Sequence, residues 1–231
     1  MKRAFGGKKA LVVGGTGGIG RALSESLLSL GATVCAVGRH AVPGAESCVL
    51  DLDNSAECVI VFEKAREADI LCVVRGPFLQ RALSETTERD WASMVWANLG
   101  FPGSLVSAAL PAMQSARWGR ILLMGGTRTD AIRGFRTNAA YAAAKTGLAS
   151  LAKSVALEYA SYGITCNVVC PGFVDTEYLD AGLKKVLAEK NPDGTLISAR
   201  EVAESAMFLM ENPVHNGVVL PVDKGWSPIV I

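Results

Sequence analysis

The chain has 231 residues, 50% hydrophobic and 19% charged, so it can bury a large core and does not have the composition of a disordered protein. Its formal net charge of +1 gives no overall field that would favour nucleic acid or an acidic membrane, and neither partner is predicted. The basic segment 1–9 leads into an apolar stretch that glycines soon interrupt, which is unlike a signal peptide and favours a cytoplasmic protein.

Strands and helices are predicted to alternate along the chain. A strand over residues 9–14 ends in glycines and precedes a helix over residues 19–31. The later predicted strands cover residues 33–37, 48–52, 70–74, 120–124, 164–169 and 218–222, and two clear helices cover residues 139–159 and 199–210. Helical crossovers join parallel strands, so the prediction is a single-domain α/β protein: a doubly wound Rossmann fold with a seven-stranded parallel sheet and helices on both faces.

No domain boundary is visible, and residues 1–231 are predicted to form one domain, with a cofactor half of about 1–120 and a catalytic half of about 121–231. The uncharged stretch 91–116 contains glycine, proline and serine, which favours a buried helix, partly covered by another subunit, over a membrane span. Residues 177–198 resemble a variable insertion over a site. The six cysteines form no CxxC motif and lie mostly in apolar runs, which predicts reduced thiols and no metal site.

A glycine-rich turn, defined here as residues 14–20, lies between the first strand and the first helix. Glycines at its first, fifth and last positions permit a tight turn, close approach to a phosphate and close packing of helix on strand. Amides at the start of the helix would then hold a pyrophosphate. The candidate cofactor-binding residues here are Gly14, Thr16, Gly18, Ile19 and Gly20.

The end of the second strand carries Arg39 and no carboxylate. An acidic residue there would bind a ribose 2′-hydroxyl, whereas an arginine suits a 2′-phosphate, so NADP(H) is favoured over NAD. Asp51, after the third strand, is predicted either to accept a hydrogen bond from an adenine amino group or to be a turn residue, with Leu52 beside it.

Tyr141 and Lys145 form a Tyr-x-x-x-Lys pair on a predicted helix. Positions i and i+4 lie one above the other, so an ammonium group at Lys145 would favour the Tyr141 phenolate and make this tyrosine a usable acid. Together with the glycine-rich turn, the pair indicates nicotinamide redox chemistry.

The glycine spacing, Asn98, the Tyr-x-x-x-Lys pair and Pro171-Gly172 coincide along almost the whole chain, which resembles the short-chain dehydrogenase/reductase family, most closely its 3-oxoacyl-acyl-carrier-protein reductase branch. The resemblance implies that Tyr141 protonates the substrate oxygen, and that Lys145 holds the ribose and lowers the pKa of the tyrosine. Asn98 would bind a water in a proton relay, or only satisfy backbone groups. It also implies cofactor contacts from Gly76, Pro171, Gly172, Val174 and Thr176.

Two segments depart from the family pattern. Val73-Val74-Arg75-Gly76 stands where the family has Asn-Asn-Ala-Gly, and Gly126 falls where the catalytic serine belongs. Thr127 is the preferred replacement for that serine, and Thr129 is the alternative. Arginines 128, 133 and 136, together with Arg75, could attract an anionic substrate.

The expected activity is therefore NADPH-dependent reduction of a small carbonyl compound, first a 3-oxoacyl thioester on an acyl carrier, with another ketone or a pterin as alternatives. Loss of the serine keeps open an NADP-binding sensor or structural subunit with impaired catalysis. The helix within 91–116 and the small-residue helix over 139–160 resemble those of the family's four-helix interface, which implies a homotetramer, with a dimer left open.

Overall fold

A central parallel sheet organises the protein in a computed structural model that describes residues 4–52 and 55–226. Seven strands follow the order β3-β2-β1-β4-β5-β6-β9, and β7 pairs with β8 in a separate small sheet. The strands are β1 (Lys9–Val13), β2 (Thr33–Gly38), β3 (Glu46–Val49), β4 (Ile70–Val73), β5 (Gly119–Met124), β6 (Ile164–Pro171), β7 (Val174–Asp175), β8 (Ile197–Ser198) and β9 (Val219–Val222). The predicted single-domain Rossmann fold is confirmed.

Helices cover both faces of the large sheet. They are α1 (Gly18–Ser29), α2 (Ser55–Arg66), α3 (Glu88–Val95), α4 (Phe101–Ala116), α5 (Ala139–Tyr159), α6 (Ala181–Ala188) and α7 (Ala199–Glu211). Leucines of α1 and apolar residues of α7 pack on one face, and α2, α4 and α5 supply the core on the other. None of the helices within the described parts of the chain is long and apolar enough to cross a membrane.

Two predicted elements differ from the structure. The third strand begins at Glu46 and ends at Val49, because polar, partly exposed residues pair with β2 at the edge of the sheet. The uncharged stretch 91–116 is not one regular helix: α3 and α4 are separated by a π-helical turn, Trp96–Gly100. The segment 177–198 contains α6 and leads into β8.

The strand order reverses between β1 and β4, which opens a crevice at their carboxyl ends. The backbone N–H groups of Gly14 and Gly15 both donate to the carbonyl of Val37, at 2.9 Å each. Those of Val74 and Arg75 both donate to the carbonyl of Val13, at 2.9 and 3.1 Å. Backbone groups therefore hold the three strands together where the family's asparagine side chain is absent.

Candidate active site

The glycine-rich turn leaves no space for side chains at its two ends. Gly14 has a φ of +83°, and a Cβ atom on it would lie 2.8 Å from the backbone nitrogen of Arg75. A Cβ on Gly20 would collide with the carbonyl of Gly14. The turn thus packs tightly on the residues after β4 and on the first turn of α1, and Ile19 of α1 packs against the core.

The first amide of α1 holds an anionic group. The N–H of Gly18 donates to both carboxylate oxygens of Glu177, at 3.0 and 3.3 Å. Burial would raise the pKa of Glu177, but hydrogen bonds from the backbone amides of Glu177 and Gly18 outweigh it, and this pKa is lowered. The carboxylate at this amide shows that the start of α1 accommodates an anionic group.

Thr16 connects the glycine-rich turn to the end of β2. It is buried, and its hydroxyl accepts a hydrogen bond from the backbone N–H of Arg39 at 3.1 Å. A Cβ on Gly38 would collide with the same hydroxyl. Thr16 therefore positions the backbone of Arg39, whose side chain is exposed and has its guanidinium carbon 5.9 Å from the ring centre of Tyr178.

Asp51 and Leu52 follow β3 at the same edge of the sheet. The side chain of Asp51 is exposed, and its backbone N–H donates to the Glu57 carboxylate at 2.7 Å. Leu52 packs against the core. Because β3 ends at Val49, Asp51 lies two residues beyond the strand end from which its contact with an adenine was predicted.

Tyr141 and Lys145 lie in the first half of α5, and the Lys145 ammonium nitrogen is 5.9 Å from the centre of the tyrosine ring. The lysine side chain is 2% exposed and donates to the carbonyl of Met124, at the end of β5, over 2.7 Å. This bond fixes the ammonium group beneath the tyrosine ring.

Burial controls the ionisation of both groups. It raises the pKa of Tyr141 to about 12, with a smaller contribution from Cys170, and lowers the pKa of Lys145 to about 8. Desolvation of the phenolate therefore dominates the pKa of Tyr141 in the protein without cofactor, and the lowering of this pKa by Lys145 stays a prediction. Tyr141 carries its proton at neutral pH.

Asn98 lies in the π-helical turn and is fully buried. Its amide nitrogen donates to the carbonyls of Pro77 and Met94, at 3.0 and 3.1 Å, while its Oδ1 has no hydrogen-bond partner within the described residues. A Cβ on Gly76 would lie 2.5 Å from both this oxygen and the Lys145 Nζ. Gly76 thus separates two polar atoms that a water could connect.

The loop after β5, named here the β5 loop (residues 125–130), holds the hydroxyls expected to replace the serine. Thr129 is 1% exposed, accepts from the Gly126 N–H at 2.8 Å and donates to the Gly126 carbonyl at 2.9 Å. Thr127 is only partly buried, and its hydroxyl donates towards the carbonyls of Pro171 and Gly172 at 3.2 and 3.4 Å. Thr129 closes the turn, whereas Thr127 lies beside the end of β6.

Gly126 lies directly against the tyrosine. A Cβ on Gly126 would lie 2.6 Å from the Tyr141 hydroxyl oxygen. The position that the family resemblance gives to the serine is thus beside Tyr141, but this hydroxyl fills the space that a side chain would need.

The segment after β6 passes close to the glycine-rich turn. Gly172 donates its N–H to the carbonyl of Val222 at 2.9 Å, and Val174 lies on β7. A Cβ on Gly18 would lie 3.2 Å from the methyl carbon of Thr176. The structure therefore brings Thr176 to the start of α1, on the same side as Pro171 and Gly172.

Phe78 contacts Tyr141 and was not predicted as a site residue, whereas Arg128 and Arg133 were among the arginines expected to attract an anionic substrate. The Phe78 ring is 58% exposed and lies edge-on at 5.0 Å from the tyrosine ring, and its position directly after Gly76-Pro77 was an available signal. The guanidinium of Arg128 is 5.6 Å from the Trp226 ring centre. Arg133 forms an ion pair with Asp130 at 2.6 Å, which neutralises one of the arginines expected to attract an anionic substrate.

Comparison with known proteins identifies the family. The family model for short chain dehydrogenase matches residues 8–186. The 3-oxoacyl-acyl-carrier-protein reductase FabG of Escherichia coli (strain K12) is 34% identical over 240 residues, which cover 96% of this chain and 98% of that protein.

Solved structures agree with this assignment. A short chain dehydrogenase/reductase family protein superimposes with a TM-score of 0.86 at 26% identity, covering 97% of this chain and 98% of the other. A candidate NAD(P)-dependent gluconate 5-dehydrogenase from Beutenbergia cavernae, solved with NADP at low occupancy, gives 0.85 at 27% identity, covering 98% and 99%. The chain belongs to the short-chain dehydrogenase family and is an oxidoreductase of that family.

Proposed function

We propose that this protein uses NADPH to reduce a carbonyl compound to an alcohol. The observation that carries the proposal is a buried, protonated Tyr141 next to Lys145 at the edge of the sheet where the glycine-rich turn already binds a carboxylate. These groups would provide an acid for the substrate oxygen and, beside it, a site for a dinucleotide. Bound NADPH would supply the hydride.

Residues of the chain would carry out the proton transfers and bind the carbonyl oxygen. Tyr141 gives its hydroxyl proton to the substrate oxygen, and its burial keeps that proton in place until a substrate arrives. Lys145 stabilises the resulting phenolate by its charge, and Asn98 Oδ1 offers an acceptor for a water that returns a proton. Thr127 would bind the carbonyl oxygen after turning away from the carbonyls of Pro171 and Gly172.

Selection of NADP over NAD is assigned to Arg39. Its side chain is exposed at the end of β2, and Thr16 fixes its backbone position. A 2′-phosphate would pair with this guanidinium, as arginine commonly pairs with phosphate. The NADP found in the Beutenbergia cavernae structure supports the same cofactor class.

The first substrate proposed is a 3-oxoacyl thioester, supported by the similarity to the Escherichia coli reductase. The exposed Phe78 ring beside Tyr141 offers an apolar surface for an acyl chain, and the exposed Arg128 of the β5 loop offers a cation for an anionic carrier group. Another small ketone or a pterin is the alternative. The rate of NADPH oxidation would be compared directly between the free thioester and the same thioester on an acyl carrier.

The proposed assembly is a cytoplasmic homotetramer. Trp96 is 55% exposed and Leu157, on α5, is 89% exposed, so both present apolar surface on elements predicted to form an interface. A molar mass in solution near four chains supports the tetramer, and a mass near two chains favours the dimer.

A nucleotide-binding sensor is the second candidate function. It is supported by the hydrogen bonds of Thr127 and Thr129, both of which already have backbone partners. The two functions separate when NADPH oxidation is followed by absorbance with a 3-oxoacyl thioester and a panel of unrelated ketones. Tyr141-dependent oxidation supports the reductase, whereas NADPH binding without oxidation of any substrate supports the sensor.

A further inference from the structure

The segment after β7 covers the glycine-rich turn with two side chains. Glu177 receives the Gly18 N–H at the start of α1. A Cβ on Gly17 would lie 2.6 Å from the same carboxylate and would collide with the Tyr178 hydroxyl. The Tyr178 ring also lies 5.9 Å from the guanidinium carbon of Arg39. One dipeptide therefore lies over both places where the phosphates of NADP are proposed to bind.

We propose that Glu177 and Tyr178 form a built-in competitor for the cofactor. Glu177 takes the amide that would hold the pyrophosphate, and Tyr178 lies between the glycine-rich turn and Arg39. The inference rests on the proposed nucleotide function. Glu177 and Tyr178 would thereby set the affinity for the cofactor.

Electrostatics explains why the two anions exclude each other. The start of α1 favours one negative group through its free amides and its helix dipole. A pyrophosphate brought to the same amide would meet the Glu177 carboxylate at contact distance, where like charges repel strongly. Glu177 must move away from the Gly18 amide before the phosphates can bind there. The free-energy cost of this displacement lowers the apparent affinity for the cofactor.

The segment is anchored so that it can move without leaving the protein. On one side β7 pairs with β8, and Lys184 of α6 forms an ion pair with Asp175 at 2.6 Å. On the other side Asp180 accepts the Leu183 N–H at 2.8 Å and caps α6. These anchors do not depend on Glu177, so its release requires only the residues between them to reorient.

The test is Glu177→Gln, which keeps the shape and removes the charge. The variant is expected to bind NADPH about tenfold more tightly in a fluorescence titration, equivalent to about 1.4 kcal/mol. It is also expected to unfold at a lower temperature without ligand, because the helix start loses its anionic partner. Glu189→Gln, an exposed change of the same charge at the residue after α6, serves as the control and leaves both quantities unchanged.

Inorganic pyrophosphate provides a probe that does not depend on nicotinamide chemistry. It should raise the unfolding temperature of Glu177→Gln more than that of the wild type. If pyrophosphate behaves this way while NADPH binds neither protein, the competitor stands and the proposed cofactor fails. Equal or weaker binding of NADPH and pyrophosphate by Glu177→Gln would overturn the competitor and give Glu177 a purely structural role.

Discussion

The glycine-rich turn and the β5 loop lie at the same edge of the sheet but are specified by the sequence in different ways. The turn depends on backbone shape, and Gly14 and Gly20 stand where a Cβ would collide with neighbouring backbone. The function of the β5 loop depends on which of two similar threonines faces the substrate, and the packing of the loop determines which one does. The glycines of the sequence are enough to identify the turn. In the β5 loop, only the contacts seen in the structure distinguish Thr127 from Thr129.

Among the tests of this comparison, the largest expected effect distinguishes the two threonines of the β5 loop. Thr127→Val should lower kcat by about 100- to 1,000-fold, the usual effect of removing a carbonyl donor, with little change in stability. Thr129→Val should instead lower the free energy of unfolding by about 1–3 kcal/mol, because the Gly126 N–H and carbonyl lose their buried partner. Steady-state kinetics and denaturant unfolding measure both, and equal kcat for Thr127→Val and wild type would remove Thr127 from the mechanism.

The substitution Gly126→Ser should lower the turnover rate of this enzyme. Its Cβ would lie 2.6 Å from the Tyr141 hydroxyl, so the ring must shift, and a shift of about 1 Å can lower the rate about 100-fold. Gly126→Ala is the matched control, since it has the same Cβ without the hydroxyl and should lose a similar amount. A faster Gly126→Ser enzyme would show that the loop opens readily and that the missing serine limits catalysis.

A smaller effect is expected at the end of β2. Arg39→Glu should reduce the NADPH-to-NADH preference in kcat/KM by tenfold or more, about 1.4 kcal/mol, because the carboxylate repels a 2′-phosphate. Arg89→Glu, on the exposed side of α3, is the control for the change in net charge. An unchanged ratio in Arg39→Glu would assign cofactor selection to other residues.

The last of these predictions concerns the pH dependence of stability. Lys145 has a pKa of about 8 in the folded protein against an ordinary 10.5, so its burial penalty is complete below pH 8 and disappears as pH rises to 10.5. The wild type should therefore gain about 1–3 kcal/mol of unfolding free energy relative to Lys145→Met between pH 7.5 and 10. Urea titrations at the two pH values measure this difference, and a constant difference would place a charged, solvated lysine in the folded state.

The sequence predicted the parallel sheet and most of its strands well because the buried strands are continuous apolar runs. It placed the third strand too late because Glu46 and Ser47 are polar residues of an edge strand. The π-helical turn around Asn98 was not predicted, because no apolar pattern in the sequence marks it. Glu177 and Tyr178 contact residues about 160 positions earlier, and a separation of that length cannot be inferred from local spacing.

Tyr141→Phe tests the central claim most directly, with NADPH binding and NADPH oxidation measured on the same preparation. The ring packing against Phe78 is kept and only the hydroxyl is lost, so NADPH should bind with unchanged affinity. Turnover of the best carbonyl substrate should fall by about 100- to 10,000-fold, the range that a positioned acid contributes. Turnover equal to that of the wild type would contradict the assignment of Tyr141 as the proton donor and, with it, the proposed reductase mechanism.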